Sequence, residues 1–244
     1  MPVYETGHAR NVAQFQQLIS FVDSWGAPYA PSNTAIALTA LNTKLTDTTI
    51  AMDEVGFSLA ISKTAINERE NAFAGLRKLT TRIINYYEST GADQNKIKDV
   101  RTLKRKIDGK RAKQLVDDPN TPEDESQNGI SAAQMSYTQL IEHLTGMINI
   151  LSNDLLYAPT EADLKLTALN TLVTNLKTAN NLVIDAFTGI SNKRGDRNEV
   201  MYKDESGLIA LALTVKKYVK AAFGTDSLQF SQVNGLEFRR PTKG

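Results

Sequence analysis

The chain contains two stretches of nearly the same sequence, and this duplication is the feature that most constrains its fold. The hexapeptide Leu-Thr-Ala-Leu-Asn-Thr occurs at residues 38–43 and again at 166–171, 128 positions later. A Tyr-Ala-Pro tripeptide precedes each copy, at residues 29–31 and 157–159, with the same offset. A six-residue word kept at one distance from one tripeptide indicates two copies of a single structural unit. We therefore predict two related repeats that pack face to face.

The segment between the copies sets the predicted domain boundaries. Residues 117–126 are acidic, include two prolines and lack apolar side chains, which is typical of a solvated linker. We predict helical repeat 1 over residues 1–115, an acidic linker over 116–130 and helical repeat 2 over 131–244. Both repeats are expected to form one packed domain.

Apolar residues within each repeat recur at alternating steps of three and four, which is typical of α-helices with a seven-residue repeat. In repeat 1 these seam positions are Leu38, Leu41, Leu45, Thr48, Met52, Val55, Leu59, Ser62, Ile66, Arg69, Phe73, Leu76, Thr80, Ile83 and Tyr87. In repeat 2 they are Leu166, Leu169, Val173, Leu176, Asn180, Val183, Phe187, Ile190, Arg194, Arg197 and Met201, then Leu208, Leu211, Val215 and Tyr218. The pattern predicts an all-α fold: an elongated helical bundle of two related repeats with long, coiled-coil-like helices and pseudo-two-fold symmetry.

Two alternatives stay open for residues 32–90 and 160–223. Each stretch is either one long, kinked helix or a helical hairpin that turns at a polar belt, Asn67–Asn71 or Asn192–Glu199. The unbroken seven-residue phase favours the long helix, whereas the polar belts and Gly207 favour a turn.

Capping residues are predicted at both ends of these stretches. Ser32 and Thr160 each follow a proline, and a side-chain oxygen there can accept a hydrogen bond from an unpaired backbone N–H of the first helical turn. Gly91 and Gly224 suit the left-handed position just after a helix end.

Composition excludes several classes of function. The formal net charge is +1, so no global field attracts nucleic acid or anionic lipid, and cysteine is absent, which removes disulfide and thiolate chemistry. The apolar run 208–213 is far shorter than the roughly 20 residues that span a bilayer. No signal peptide is visible in residues 1–10, so we expect a cytoplasmic protein, with secretion by a signal-less route left open.

Candidate catalytic and metal-binding residues are few. Glu5 and His8 have the spacing of one carboxylate-bridged di-iron ligand pair, but that chemistry needs a second such pair. We interpret His8 as a solvated N-terminal histidine and His143, beside Glu142, as a partly exposed helical residue. No nucleophile elbow, zinc signature or phosphate-binding loop occurs. The sequence therefore predicts a non-enzyme with no catalytic residue, no cofactor, no metal and no evident small-molecule substrate.

Arg69 and Arg197 correspond to each other at the 128-residue offset, and both fall in the inward-facing phase. We interpret them as an interior pair of charges that specifies register through local carboxylates, Glu68 and Glu70 for the first, Asp196 and Glu199 for the second. An anion site is the functional alternative.

Basic residues cluster near the end of repeat 1. They are Lys96, Lys98, Arg101, Lys104, Arg105, Lys106, Lys110, Arg111 and Lys113. Such a surface could contact phosphates, but aromatic residues that would stack on bases are not interleaved with it. We favour a solvated amphipathic face, which the acidic linker could neutralise.

Several short segments resemble an uncharacterised family of duplicated all-helical proteins from Bacteroidota. They are the Tyr-Ala-Pro motif followed by Ser32 or Thr160, the Leu-Thr-Ala-Leu-Asn-Thr word, Arg197-x-x-x-Met201-Tyr202, Lys216–Lys220 leading into Phe223-Gly224, and Ser131-x-x-Gln134-Met135-Ser136. The resemblance covers most of the chain. It implies a duplicated helical fold, and it implies no activity and no functional residues.

These observations favour a non-enzymatic structural or protein-interaction helical bundle that assembles with itself or with a protein partner. The first alternative is a membrane-acting protein similar to α-helical pore formers, suggested by the apolar segment 208–215. The second is nucleic-acid binding through residues 96–113. Both alternatives are less favoured than protein binding.

Overall fold

The computed structural model describes residues 3–110 and 135–240. Every regular element within these residues is helical, which confirms the predicted all-α class. The helices are α1 Val3–Trp25, α2 Leu38–Phe73, α3 Leu76–Ser89, α4 Gln94–Asp108, α5 Tyr137–Ser152, α6 Leu166–Tyr202, α7 Leu208–Phe223 and α8 Leu228–Asn234. A short 3₁₀ turn, Thr34–Ile36, precedes α2.

The chain divides into two compact units. Unit 1 takes Met1–Ile61 and Ala186–Gly244, and unit 2 takes Ser62–Asp185. Each unit therefore combines helices from both predicted repeats, and α2 and α6 contribute residues to both units. The repeat boundaries stay a prediction, and the predicted linker 116–130 lies outside the described residues.

In unit 1, α1 packs against α7 and α8. Tyr29, in the loop before α2, contacts Tyr218 of α7 edge to face with 5.3 Å between ring centroids. Its hydroxyl donates a hydrogen bond of 2.7 Å to the backbone oxygen of Ile36, and burial raises the pKa of Tyr29. The remaining buried residues are Phe15, Leu18, Ile19, Val22, Leu41, Leu208, Ile209, Leu211, Ala212, Val215, Val219, Val233 and Leu236.

In unit 2, α4 packs against α3 and α5. Tyr157, in the loop before α6, contacts Tyr86 of α3 edge to face at 5.4 Å. Its hydroxyl donates a 2.8 Å hydrogen bond to the backbone oxygen of Leu164, and burial raises the pKa of Tyr157 to about 12. The two tyrosines, 128 positions apart, therefore make the same pair of contacts, one in each unit.

The two long helices begin at the first leucine of the repeated word, Leu38 and Leu166. The predicted N-caps at Ser32 and Thr160 are therefore wrong, and both residues lie exposed in the preceding loops. The chain first makes a turn that buries Ile36 or Leu164, because these residues fill the cores next to the tyrosines.

Neither open alternative for residues 32–90 and 160–223 describes the helices fully. α2 spans 36 residues and α6 spans 37, and both continue through the polar belts, so the predicted hairpin turns at those belts are wrong. α2 ends at Phe73 and α3 begins at Leu76, and Gly75, one of the two residues between them, has right-handed helical angles. α6 ends at Tyr202, and a five-residue loop, 203–207, leads to α7.

The glycines predicted at two helix ends are confirmed. Gly91 has a φ of +76° just after α3, and Gly224 has a φ of +87° at the end of α7. Side chains other than glycine rarely adopt a positive φ, so both positions favour glycine. Gly224 has a ψ of 164°, however, so it does not take the left-handed helical conformation that was predicted.

The predicted seam positions are buried or half-buried along both stretches, with one exception. Phe187 of α6 is 54% exposed although it falls in the seam phase. Burial along a seven-residue pattern places these residues on the inner face of each long helix. Interhelical coiled-coil geometry remains a prediction.

Gly207 ends the loop between α6 and α7 in a space that excludes a side chain. A Cβ atom there would lie 2.6 Å from the backbone nitrogen and oxygen of Lys203, whereas one at Gly195 inside α6 would meet nothing within 4 Å. We therefore expect Gly207→Ala to destabilise the protein by about 1–3 kcal/mol, because the Lys203 backbone must move. Gly195→Ala is the matched control and should stabilise it by about 0.5–1 kcal/mol through helix propensity. Urea unfolding followed by circular dichroism measures both, and equal effects of the two substitutions would contradict this description of the loop.

Candidate interaction surface

His8 lies on the buried face of α1, so its interpretation as a solvated residue is wrong. It is 3% exposed, and its Nδ1 forms a hydrogen bond of 2.5 Å with the Tyr202 hydroxyl. Asn11, one turn later, donates to the backbone oxygen of Arg239 and accepts from its backbone N–H. The prediction failed because α1 begins at Val3 and Gly7 does not interrupt it, which places His8 on the same face as Phe15.

His143 is also buried, which corrects the expectation of a partly exposed side chain. It is 8% exposed on α5, and its Nε2 has no hydrogen-bond partner. Burial lowers the pKa of His143, and the nearby positive charge of Lys106 lowers it further. Within residues 3–110 and 135–240, no group of three or more His, Cys, Asp or Glu side chains could hold a metal ion.

Arg69 is held by an aromatic ring and an amide. Its guanidinium lies 4.0 Å from the centre of the Tyr137 ring, and Nη1 donates to Oδ1 of Asn180 at 3.3 Å. No carboxylate among the described residues forms an ion pair with it, so the predicted local partners Glu68 and Glu70 do not fill that role. The face of the Tyr137 ring on α5 therefore attracts the Arg69 charge through a cation–π interaction.

Arg197 lies in a different environment. It belongs to unit 1, whereas Arg69 belongs to unit 2. Arg197 is 4% exposed, and its Nε and Nη2 both donate to Oδ1 of Asn198. The inward-facing phase therefore correctly predicted that Arg69 is half-buried or better and that Arg197 is buried, but it did not reveal that they belong to different units.

Several residues of the predicted basic surface have carboxylate partners. Arg101 donates to Glu88 at 2.6 Å, and Lys104 donates to Asp108 at 2.5 Å. Lys110 lies 3.8 Å from the same Asp108 carboxylate. Lys98 is exposed, Arg105 and Lys106 are half-buried, and Arg111 and Lys113 lie outside the described residues. This pairing reduces the positive potential that a phosphate backbone would require.

Lys96, another residue of the predicted basic surface, forms an ion pair within unit 2. Asp154 accepts hydrogen bonds from the Tyr87 hydroxyl at 2.7 Å and from Lys96 Nζ at 3.0 Å. Its other oxygen accepts from the backbone N–H of Leu156. The bond from Tyr87, the Leu156 N–H and Lys96 together lower the pKa of Asp154 to about 2.

Unit 1 also has a row of exposed apolar residues on α2. Phe57 is 69% exposed, Ile50 is 53% exposed and Ile61 is 46% exposed. Each follows a seam residue by two positions, which corresponds to about 200° around an α-helix. The row therefore lies on the face of α2 opposite its buried seam, and we call it the α2 apolar row.

A surface groove of about 410 Å³ adjoins this row. Its lining consists of Ile50, Asp53, Glu54, Phe57, Ser58 and Lys193. Lys193 Nζ lies 2.9 Å from Glu54 and 3.6 Å from Asp196. Asp53 forms no ion pair with any described residue, so carboxylates outnumber bases around the groove. An open apolar groove edged by acids can accommodate an apolar side chain with a positive charge beside it.

The sequence analysis did not predict the α2 apolar row, because the seven-residue pattern identifies only the residues on the buried face of the helix. A detectable signal exists in the comparison of the two copies. At the 128-residue offset, the counterparts of Ile50, Phe57 and Ile61 are Thr178, Asp185 and Gly189. Large apolar residues outside the seam, at positions where the other copy has a polar or small residue, would have indicated this surface.

No protein-family model, curated protein or solved structure matches the chain. The resemblance to duplicated helical proteins of Bacteroidota therefore stays a prediction.

The apolar segment 208–215, which suggested a membrane-acting protein, supplies core residues of unit 1. Leu208, Ile209, Leu211, Ala212 and Val215 are all buried there. None of the helices in the described part of the chain combines the length and hydropathy required to cross a bilayer.

Asp154 gives a pH-dependent prediction. Because the folded-state pKa of about 2 lies below its ordinary value of 3.8, its ionised form stabilises the fold, and this contribution is lost as the pH falls from about 4 to about 2. We expect Asp154→Asn to be less stable than the parent at pH 7, with the difference shrinking below pH 4. Chemical unfolding at several pH values measures this, and Asp99→Asn, an exposed residue of α4, is the control. A difference between parent and variant that does not change with pH would contradict the assigned role.

Proposed function

We propose that this chain is a non-enzymatic helical protein whose function is to bind another protein, and that the α2 apolar row is the binding surface. The observation that carries the proposal is the 69% exposure of Phe57 between two other exposed apolar residues of the same helix face. Contiguous exposed apolar groups beside a groove are typical of protein-interaction sites. Burying one such side chain contributes roughly 1.5–3 kcal/mol, which is enough for a row of three to dominate an interface.

The proposal includes the architecture predicted from the duplication: two related repeats forming an elongated bundle with coiled-coil-like helices and pseudo-two-fold symmetry. Its support is the matching pair of tyrosine contacts, from Tyr29 to Ile36 and from Tyr157 to Leu164. The shared start of α2 and α6 at the repeated word adds to this support. In this proposal the repeats supply a rigid scaffold, and the difference between the two copies supplies the surface.

A photo-crosslinking amino acid in place of Phe57 tests the proposed function in cells that produce the full chain. We expect a protein adduct, either with a second copy or with another polypeptide, that is lost when Ile50 and Ile61 are both changed to Ser. Leu228 of α8 is 70% exposed and gives a matched control position where no specific adduct is expected. Sedimentation of the purified chain should show whether the adduct is a second copy. A monomer at all concentrations with no adduct at position 57 would contradict the proposal.

A further inference from the structure

The charges beside the α2 apolar row restrict what can cover it. Asp47 and Asp53 are exposed on α2 and form no ion pair with any described residue. Glu54 and Asp196 both lie within 4 Å of the Nζ atom of Lys193, the one basic side chain among the described residues that line the groove. The surface is therefore locally acidic although the whole chain has a formal net charge of +1.

A second copy of the chain fits this surface poorly. Symmetric dimers bring the same patch of both subunits together, so Asp53 and Glu54 of one copy would approach the same acids of the other. Like charges in an interface cost free energy and suppress the wrong partner. An anionic membrane is disfavoured for the same reason.

A cationic helix fits the surface well. The exposed residues lie at spacings of seven and four along one face of α2, which is the pattern that an amphipathic helix presents to a groove. Apolar side chains of such a helix would contact Ile50, Phe57 and Ile61, and flanking Lys or Arg residues would pair with Asp47 and Asp53. Glu54 keeps its partner Lys193 in this arrangement.

We propose that the α2 apolar row binds an amphipathic helix of a partner protein that has Lys or Arg residues flanking its apolar face. This inference rests on the proposed function, since it names the chemistry of the partner for the same surface. The positive net charge of the whole chain means that attraction of a cationic helix must come from the local acids.

The experiment measures fluorescence anisotropy of two synthetic peptides with the full chain. Both peptides are 18-residue amphipathic helices with the same leucine pattern, one with Lys and the other with Glu on the polar face. We expect the Leu/Lys peptide to bind at least about tenfold more tightly, corresponding to about 1.4 kcal/mol, with weaker binding at high salt. Phe57→Ser should weaken binding about tenfold or more, and Leu228→Ser should leave it unchanged.

Charge reversal separates specific contact from general attraction. Asp53→Lys should weaken binding of the Leu/Lys peptide and strengthen binding of the Leu/Glu peptide. All these residues are exposed, so the variants should unfold within a few degrees of the parent, and thermal unfolding checks this. Binding of both peptides with equal affinity, or binding that Phe57→Ser does not change, would overturn the inference.

Other outcomes distinguish the inference from the proposed function. If the parent dimerises and Phe57→Ser abolishes the dimer, a second copy covers the α2 apolar row. This result would overturn the inference of a cationic partner helix but would agree with the proposed protein-binding function. Phe57-dependent binding to anionic vesicles would overturn both in favour of a membrane. Absence of peptide binding, self-association and adducts at position 57 would remove the proposed function together with the inference.

Discussion

The buried tyrosine before each long helix is the contact on which the rest of the structure depends. Tyr29 and Tyr157 each use the hydroxyl to fix the turn before a long helix and the ring to contact a short helix from the other predicted repeat. A buried hydroxyl needs a hydrogen-bond partner, so the position of the tyrosine also fixes the backbone around residues 36 and 164. Each core therefore contains residues from both repeats, and neither repeat supplies a complete core by itself.

The buried seam of α2 and the α2 apolar row lie on opposite faces of the same helix. The seam residues of α2 are committed to the interior, and Thr48, Val55 and Ser62 are buried. On the opposite face, Ile50, Phe57 and Ile61 are exposed. The first copy has large apolar residues there and the second copy has Thr178, Asp185 and Gly189 at the corresponding positions. The function that we propose assigns the seam of α2 to the fold and its opposite face to binding.

Much of the fold could be predicted from the sequence, because helix period and repeated words are local signals. The seven-residue pattern identified the inner faces of α2 and α6, and Gly91 and Gly224 were correctly placed at helix ends. The predicted N-caps Ser32 and Thr160 were wrong because burial of Ile36 and Leu164 in the cores outweighs a local capping bond.

The surroundings of the candidate site residues were not predictable from local patterns. Arg69 lies against Tyr137, a residue 68 positions away, and Lys96 binds Asp154, so both partners depend on tertiary packing. His8 was misjudged because its helix extends to Val3 and brings it next to Tyr202. The exposure of Phe57 and Phe187 depends on which helices cover α2 and α6, and periodicity does not contain that information.

The most direct test of the central claim is to produce residues 1–115 and 131–244 as separate chains. If each core needs both repeats, neither half alone should show cooperative unfolding, and an equimolar mixture should recover helicity and a cooperative transition by circular dichroism. Complementation should fail when Tyr29 and Tyr157 are both changed to Ala. Cooperative unfolding of either half in isolation, with its tyrosine buried, would contradict the account.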